Sequence, residues 1–209
     1  MESRIIGIGF VRSATRITLL GLGSAILGCA AAVRGEFELA IVFLAASGLC
    51  DLFDGWVARR TARTDDEQHF GVQIDTVTDM AAFGVAPAVL VLSVEPSWVA
   101  AAAATIYAVC AALRLAYFNM TVGTTPTDRT DYLGLPVTYA ALVFPLAFIP
   151  IARLDGLAHS GTITVLTLGM ALLFVLRVRV PKPRGRWYPF FAILAIAVSG
   201  YWIAQRWVI

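Results

Sequence analysis

The chain has 209 residues, 59% of them hydrophobic and 14% charged, with a net charge of +2. Ordinary soluble chains run at about 45–50% apolar and roughly 25% charged. So small a net charge also argues against nucleic acid as a partner. The length suits one domain, expected over residues 1–209, and the composition places it in a membrane.

In chain order, seven apolar segments cover approximately 15–33, 38–58, 72–94, 97–118, 135–152, 161–178 and 188–206. A helix of about 20 such residues crosses a bilayer. An open sheet edge cannot face lipid, and nothing alternates like a barrel strand, so the expected fold is an all-α polytopic membrane bundle: six core helices and a seventh, C-terminal one. Arg12 and Arg16 precede the first run without a small-residue cleavage site, so that run is read as a membrane helix rather than a signal peptide. Cys29, Cys50 and Cys110 lie in apolar stretches and read as packing residues, as does the Ala100–Ala104 run. Pro87 is expected to kink the third helix. His69 and His159 fall in expected connections and receive no role.

Positive charge orients the bundle. With the N-terminus inside, the inner segments hold Arg4, Arg12, Arg16, Arg59, Arg60, Arg63, Arg129, Arg177, Arg179, Lys182, Arg184 and Arg186; the outer ones hold Arg34, Arg153 and Arg206. This bias places the 59–71 loop in the cytoplasm and the C-terminus outside. The run from Arg177 to Arg186 is at least a topology determinant, with anionic headgroups as a second use.

The informative stretch runs from Asp51 to Asp79. Asp51, Asp54, Gly55 and Ala58 share one helical stripe at the inner end of the second segment. Gly71, Asp75 and Asp79 share one face at the start of the third. A carboxylate inside a membrane helix costs about 2.5–3.5 kcal/mol even on the lenient insertion scale, so something must offset it. Consecutive helices joined by a short connection are neighbours, which brings four carboxylates to one depth. They must share protons or a cation. Hard oxygen ligands suit Mg²⁺, Mn²⁺ or Ca²⁺, and with no Cys/His cluster nearby zinc does not fit. A carboxylate-held metal with open positions grips phosphate oxygens; Gly55 and Ala58 leave room beside it, and Arg59 adds a fixed positive charge.

These residues resemble the signature of the CDP-alcohol phosphatidyltransferases, D-x2-D-G-x2-A-R, a spacer, then G-x3-D-x3-D. All eight fixed positions are present. At roughly 5–10% usage per residue type, such a match arises by chance on the order of 10⁻⁹ per starting position. The resemblance implies a six-helix core, and a homodimer in many members. It implies that Asp51, Asp54, Asp75 and Asp79 hold divalent metal, Mg²⁺ or Mn²⁺, with Asp79 also the general base on the incoming hydroxyl. Gly55, Ala58, Arg59 and Gly71 would border the CDP group, with Asp51 beside it. Two departures stand out. The spacer from Arg60 to Phe70 is eleven residues rather than eight, with Asp65, Asp66 and Glu67 expected on a solvated loop tip. The first helix lacks the P-N-x-x-T form, retaining Thr18 as a nucleotide contact.

Asp75-Thr-Val-Thr-Asp79-Met-Ala-Ala-Phe83-Gly84 and Ala112-Leu-Arg114-Leu-Ala116-Tyr-Phe118-Asn119 look like the bacterial phosphatidylserine synthase branch, although Tyr117 replaces the customary arginine. The resemblance implies transfer of a phosphatidyl group from CDP-diacylglycerol to L-serine with release of CMP. Arg114 and Asn119 are the candidate acceptor contacts, Arg114 through the serine carboxylate; the alternative is that Arg114 merely pairs with a motif aspartate. Alternatives are the same chemistry with glycerol 3-phosphate, inositol phosphate or choline. A remote one is an ion-binding or transport protein, whose expected matched halves are missing from the sequence.

Overall fold

The structure, a computed structural model, describes residues 5–6, 9–10, 13–121, 131–181 and 187–207. Of the cations that set the orientation, Arg4, Arg12, Arg129, Lys182, Arg184 and Arg186 lie outside the described residues.

Helix follows helix: α1 (Ser13–Val33), α2 (Phe37–Ala58), α3 (Asp65–Asp79), a π-helical turn (Met80–Val85), α4 (Ala86–Val94), α5 (Trp98–Thr121), a 3₁₀ turn (Val137–Tyr139) leading into α6 (Ala140–Ile151), α7 (Gly156–Val175) and α8 (Trp187–Arg206). Because α3, the π turn and α4 run on as one helix, seven rods result, as the hydropathy pattern leads one to expect. Five are long and apolar enough to cross a membrane. Val137–Ile151 is a shorter apolar helix, and α2 carries two acids in its last turns. Two ion and polar contacts fix their alternation. Arg206 Nη1 meets Glu36 Oε2 at 2.6 Å, which puts the end of α8 beside the start of α2. Ser160 donates to Glu95 Oε2 at 2.6 Å, which puts the start of α7 beside the end of α4. At the opposite end, the short antiparallel strands β1 (Asp131–Leu133) and β2 (Arg179–Pro181) tie the entry of α6 to the exit of α7.

Lipid tails are as apolar as leucine, so close packing and hydrogen bonds between helices must hold such a bundle. Leu20, Ile26 and Val165 accordingly point outward, each more than half exposed. α1 packs most extensively on α2. Ser24 Oγ donates to the Phe43 carbonyl and Ser47 Oγ to the Gly21 carbonyl, both at 2.9 Å. Gly48 permits the closest approach: a Cβ there would lie 2.5 Å from the Ala141 Cβ of α6. Inside the bundle, Tyr107, Phe144, Phe148 and Phe174 form a buried aromatic core.

The third rod departs from expectation. Helix was expected from about residue 72, with residues 59–71 in a loop. Instead α3 starts at Asp65, because Thr64 and Glu67 form a capping box: the Thr64 hydroxyl accepts from the Glu67 amide at 3.3 Å, and Glu67 Oε2 accepts from the Thr64 amide at 3.0 Å. Asp65, Asp66 and Glu67 therefore occupy a helical first turn, where acids suit the dipole, rather than a loop tip. His69 and His159 likewise lie on helices, α3 and α7. From Asp65 to Val94 the rod has 30 residues. At 1.5 Å each it is about 45 Å long, against a hydrocarbon core of about 30 Å, so its first turns stand clear of the membrane. Near Pro87 the break takes the form of the preceding π turn. Proline has no N–H for the Phe83 carbonyl four residues back; the buried Tyr107 hydroxyl donates to it instead.

Candidate active site

Two helix ends build the site. α2 brings Asp51 and Asp54 to its last two turns, and α3 brings Asp75 and Asp79 from the facing side. One carboxylate oxygen each from Asp51, Asp54 and Asp75 lies within 4.8 Å of the others. An ion with bonds of about 2.1–2.6 Å keeps its ligand oxygens within about 4–5 Å, so these three residues fit one hard divalent cation. Asp79, one turn deeper, lines the same cavity without belonging to that tight triad.

The cavity has a volume of about 300 Å³. Acids form its floor, together with Gly55 and Arg59. Arg114, Leu115 and Phe118 of α5, Pro136 to Tyr139, and Tyr188, Phe191 and Ala195 of α8 close the sides. Between α2, α6 and α8 the wall turns apolar, with Ala45, Leu49, Leu52, Ala141 and Leu142. One cavity thus joins charged groups near the helix ends to an apolar flank inside the bundle.

The other candidate residues divide between the cavity and its supports. Thr18 is buried and does not line the main cavity. Its hydroxyl donates to Asp54 Oδ2 at 2.6 Å, so it holds a carboxylate from behind. Gly55 lines the cavity next to Arg59; a Cβ there would come 3.4 Å from Arg59 Nη1. Ala58 and Gly71 sit outside the lining. Gly71 faces Arg63, whose Nη1 would be 3.3 Å from an added Cβ and whose Nη2 donates to the Ala58 carbonyl at 3.3 Å. The resemblance implied that Gly71 and Ala58 border the CDP group; in the structure both border the Arg63 side chain.

Arg114 is 5% exposed and lines the cavity. Its Nε donates to the Leu135 carbonyl at 3.1 Å and its Nη2 to the Gly134 carbonyl at 3.4 Å. Gly134 has φ +84°, and a Cβ there would come 3.0 Å from the Phe174 carbonyl oxygen, so the loop that pins Arg114 requires glycine. Asn119 stands outside the lining; its amide donates to Thr76 Oγ1 at 2.8 Å, tying α5 to α3 beside Asp75.

Sequence reasoning missed Tyr188. Arg59 Nη2 donates to its hydroxyl at 3.0 Å, across 129 positions of chain. No local pattern marks it. Its place at the end of an apolar segment, next to the basic run, was the only available signal.

A family model described as CDP-alcohol phosphatidyltransferase matches residues 12–176. Among curated proteins, an archaetidylserine synthase of Methanothermobacter thermautotrophicus is 27% identical over 84% of this chain and 72% of its own length. A CDP-diacylglycerol–serine O-phosphatidyltransferase of Methanocaldococcus jannaschii is 31% identical over 88% of this chain and 82% of its own. One of the same name from Bacillus subtilis is 28% identical over 68% and 74%. With the signature intact, its carboxylates convergent, and the match running from α1 to the end of α7, the chain belongs to the CDP-alcohol phosphatidyltransferase family.

Proposed function

We propose that this membrane enzyme transfers the phosphatidyl group of CDP-diacylglycerol to the hydroxyl of L-serine, releasing CMP, at a site open to the cytoplasm. The observation that carries the serine assignment is Arg114: a buried guanidinium fixed by two carbonyls in the wall of the cavity that holds the four acids. A carboxylate-bearing acceptor meets such a cation in a bidentate pair. The names of the relatives point to the same acceptor.

Asp51, Asp54 and Asp75 would hold Mg²⁺ or Mn²⁺. When bound, the metal neutralises the pyrophosphate and makes CMP a better leaving group. The chain's own groups do the rest. Thr18 keeps Asp54 in one rotamer. Arg59 faces the phosphates from the end of α2. Asp79 takes the proton of the serine hydroxyl as its oxygen attacks the phosphorus nearest the lipid, and the bond from that phosphorus to the CMP oxygen breaks. The apolar flank between α2, α6 and α8 admits the lipid chains sideways from the bilayer while the cytidine stays toward water. The surplus of positive charge on the acid-bearing side favours a cytoplasmic mouth.

The test is CMP release by the purified chain with CDP-diacylglycerol, Mg²⁺ or Mn²⁺, and each alcohol in turn. Stimulation by L-serine alone supports the assignment. Stimulation by glycerol 3-phosphate, inositol phosphate or choline instead keeps the chemistry and overturns the role of Arg114.

A further inference from the structure

The family match ends at residue 176 and α8 begins at Trp187, so the last helix lies outside the matched region. It is nonetheless built into the bundle. Trp202, 3% exposed, donates through Nε1 to the Pro145 carbonyl at 3.0 Å and sets its ring 5.4 Å from that of Phe37. The other end of α8 delivers Tyr188 and Phe191 to the cavity wall. There the Tyr188 hydroxyl accepts from Arg59 Nη2 at 3.0 Å, and the Arg59 guanidinium carbon lies 5.3 Å from the centre of the tyrosine ring.

Arg59 is the C-cap residue of α2, where the helix stops supporting its side chain. A free arginine carries rotamer entropy that a ligand would have to overcome. Its hydrogen-bond partner here is a neutral phenol, while Asp51 and Asp54 act on its charge from a distance without bonding to it. A phenol fixes the guanidinium without cancelling its charge and uses only one of its five donors. The charge stays available for an anion entering the cavity. We propose that Tyr188 is a positioning residue, holding Arg59 ready for the donor's pyrophosphate, and that α8 is therefore part of the donor site. This rests on reading the cavity as the CDP-binding site and is independent of which alcohol accepts.

The experiment is calorimetric titration of CDP with Mg²⁺ into the purified full-length protein, paired with steady-state CMP release. Tyr188→Phe keeps the ring and removes the acceptor. Losing one charge-assisted hydrogen bond should weaken CDP binding about three- to tenfold. KM for CDP-diacylglycerol should rise by a similar factor, with kcat within about twofold. In an Arg59→Ala background the same change should cost nothing further. Trp202→Phe, which loosens the far end of α8, should lower the melting temperature and leave CDP affinity as it was. An unchanged Tyr188→Phe variant, losses that multiply in the double variant, or an equal loss of CDP affinity in Trp202→Phe would each overturn the inference, as would a wild-type protein that binds no CDP. A wild-type protein that binds CDP but does not respond to serine removes the acceptor assignment and leaves Tyr188 standing.

Discussion

Asp54 shows how a membrane carboxylate is prepared for a cation. It is 6% exposed, and Thr18 from another helix donates to one of its oxygens at 2.6 Å. Groups behind a metal ligand typically change metal affinity 10- to 100-fold when removed. Thr18→Val keeps the shape and deletes the donor, so the Mg²⁺ or Mn²⁺ concentration for half-maximal activity should rise about tenfold or more, with Thr18→Ser close to wild type. A metal titration of CMP release reads this directly. Asp79→Asn makes a different prediction. If Asp79 is the general base proposed above, its loss should lower kcat about 10²- to 10⁴-fold while CDP still binds, since the three oxygens of the tight triad are untouched. If Asp79→Asn abolishes CDP binding as well, its role is in holding the donor. The four acids were legible in the sequence because each pair sits on one helical face of a single segment. Thr18 was legible only as a surviving motif position, and spacing could not tell a nucleotide contact from a carboxylate support.

Among the elements, α2 is held most tightly, and its position sets that of Asp51 and Asp54. At Gly48 an added Cβ would meet the Ala141 Cβ at 2.5 Å, a distance no pair of side chains accepts. Gly48→Ala must therefore move α2 away from α6. Overpacking of this kind costs about 1–3 kcal/mol, and the acids one turn later move with the helix, so activity should fall along with thermal stability. Gly23, with open space around its Cβ position, is the control: Gly23→Ala should leave both nearly unchanged. The start of α3 is a local affair. Thr64→Ala removes one half of the capping box and should cost about 1 kcal/mol in an unfolding measurement. The Thr-x-x-Glu spacing at 64–67 was present in the sequence and would have placed the helix start correctly; the three adjacent acids suggested a solvated loop instead. The hydroxyl that takes up the Phe83 carbonyl comes from Tyr107 on another helix, which no pattern around Pro87 records.

For the molecule as a whole, the proposed orientation makes a prediction in cells. With Cys29, Cys50 and Cys110 replaced by alanine, Leu157→Cys, at the end opposite the acids, should react with a membrane-impermeant maleimide from outside. Thr61→Cys, on the acid-bearing end, should react only after permeabilisation. The reverse pattern would put the site outside and overturn the cytoplasmic assignment. By itself the sequence determined the membrane class, the seven apolar segments and the acid-bearing pair of helices. Those properties follow from hydrophobic length and from spacing within one helix, which are local. Only the tertiary structure decided what each polar group of the site does. Thr18 with Asp54, Arg114 with the Gly134 and Leu135 carbonyls, and Arg59 with Tyr188 are pairs between different segments. Within a helix bundle, a polar side chain finds its partner on whichever helix packing brings near, and no pattern along one segment records that choice.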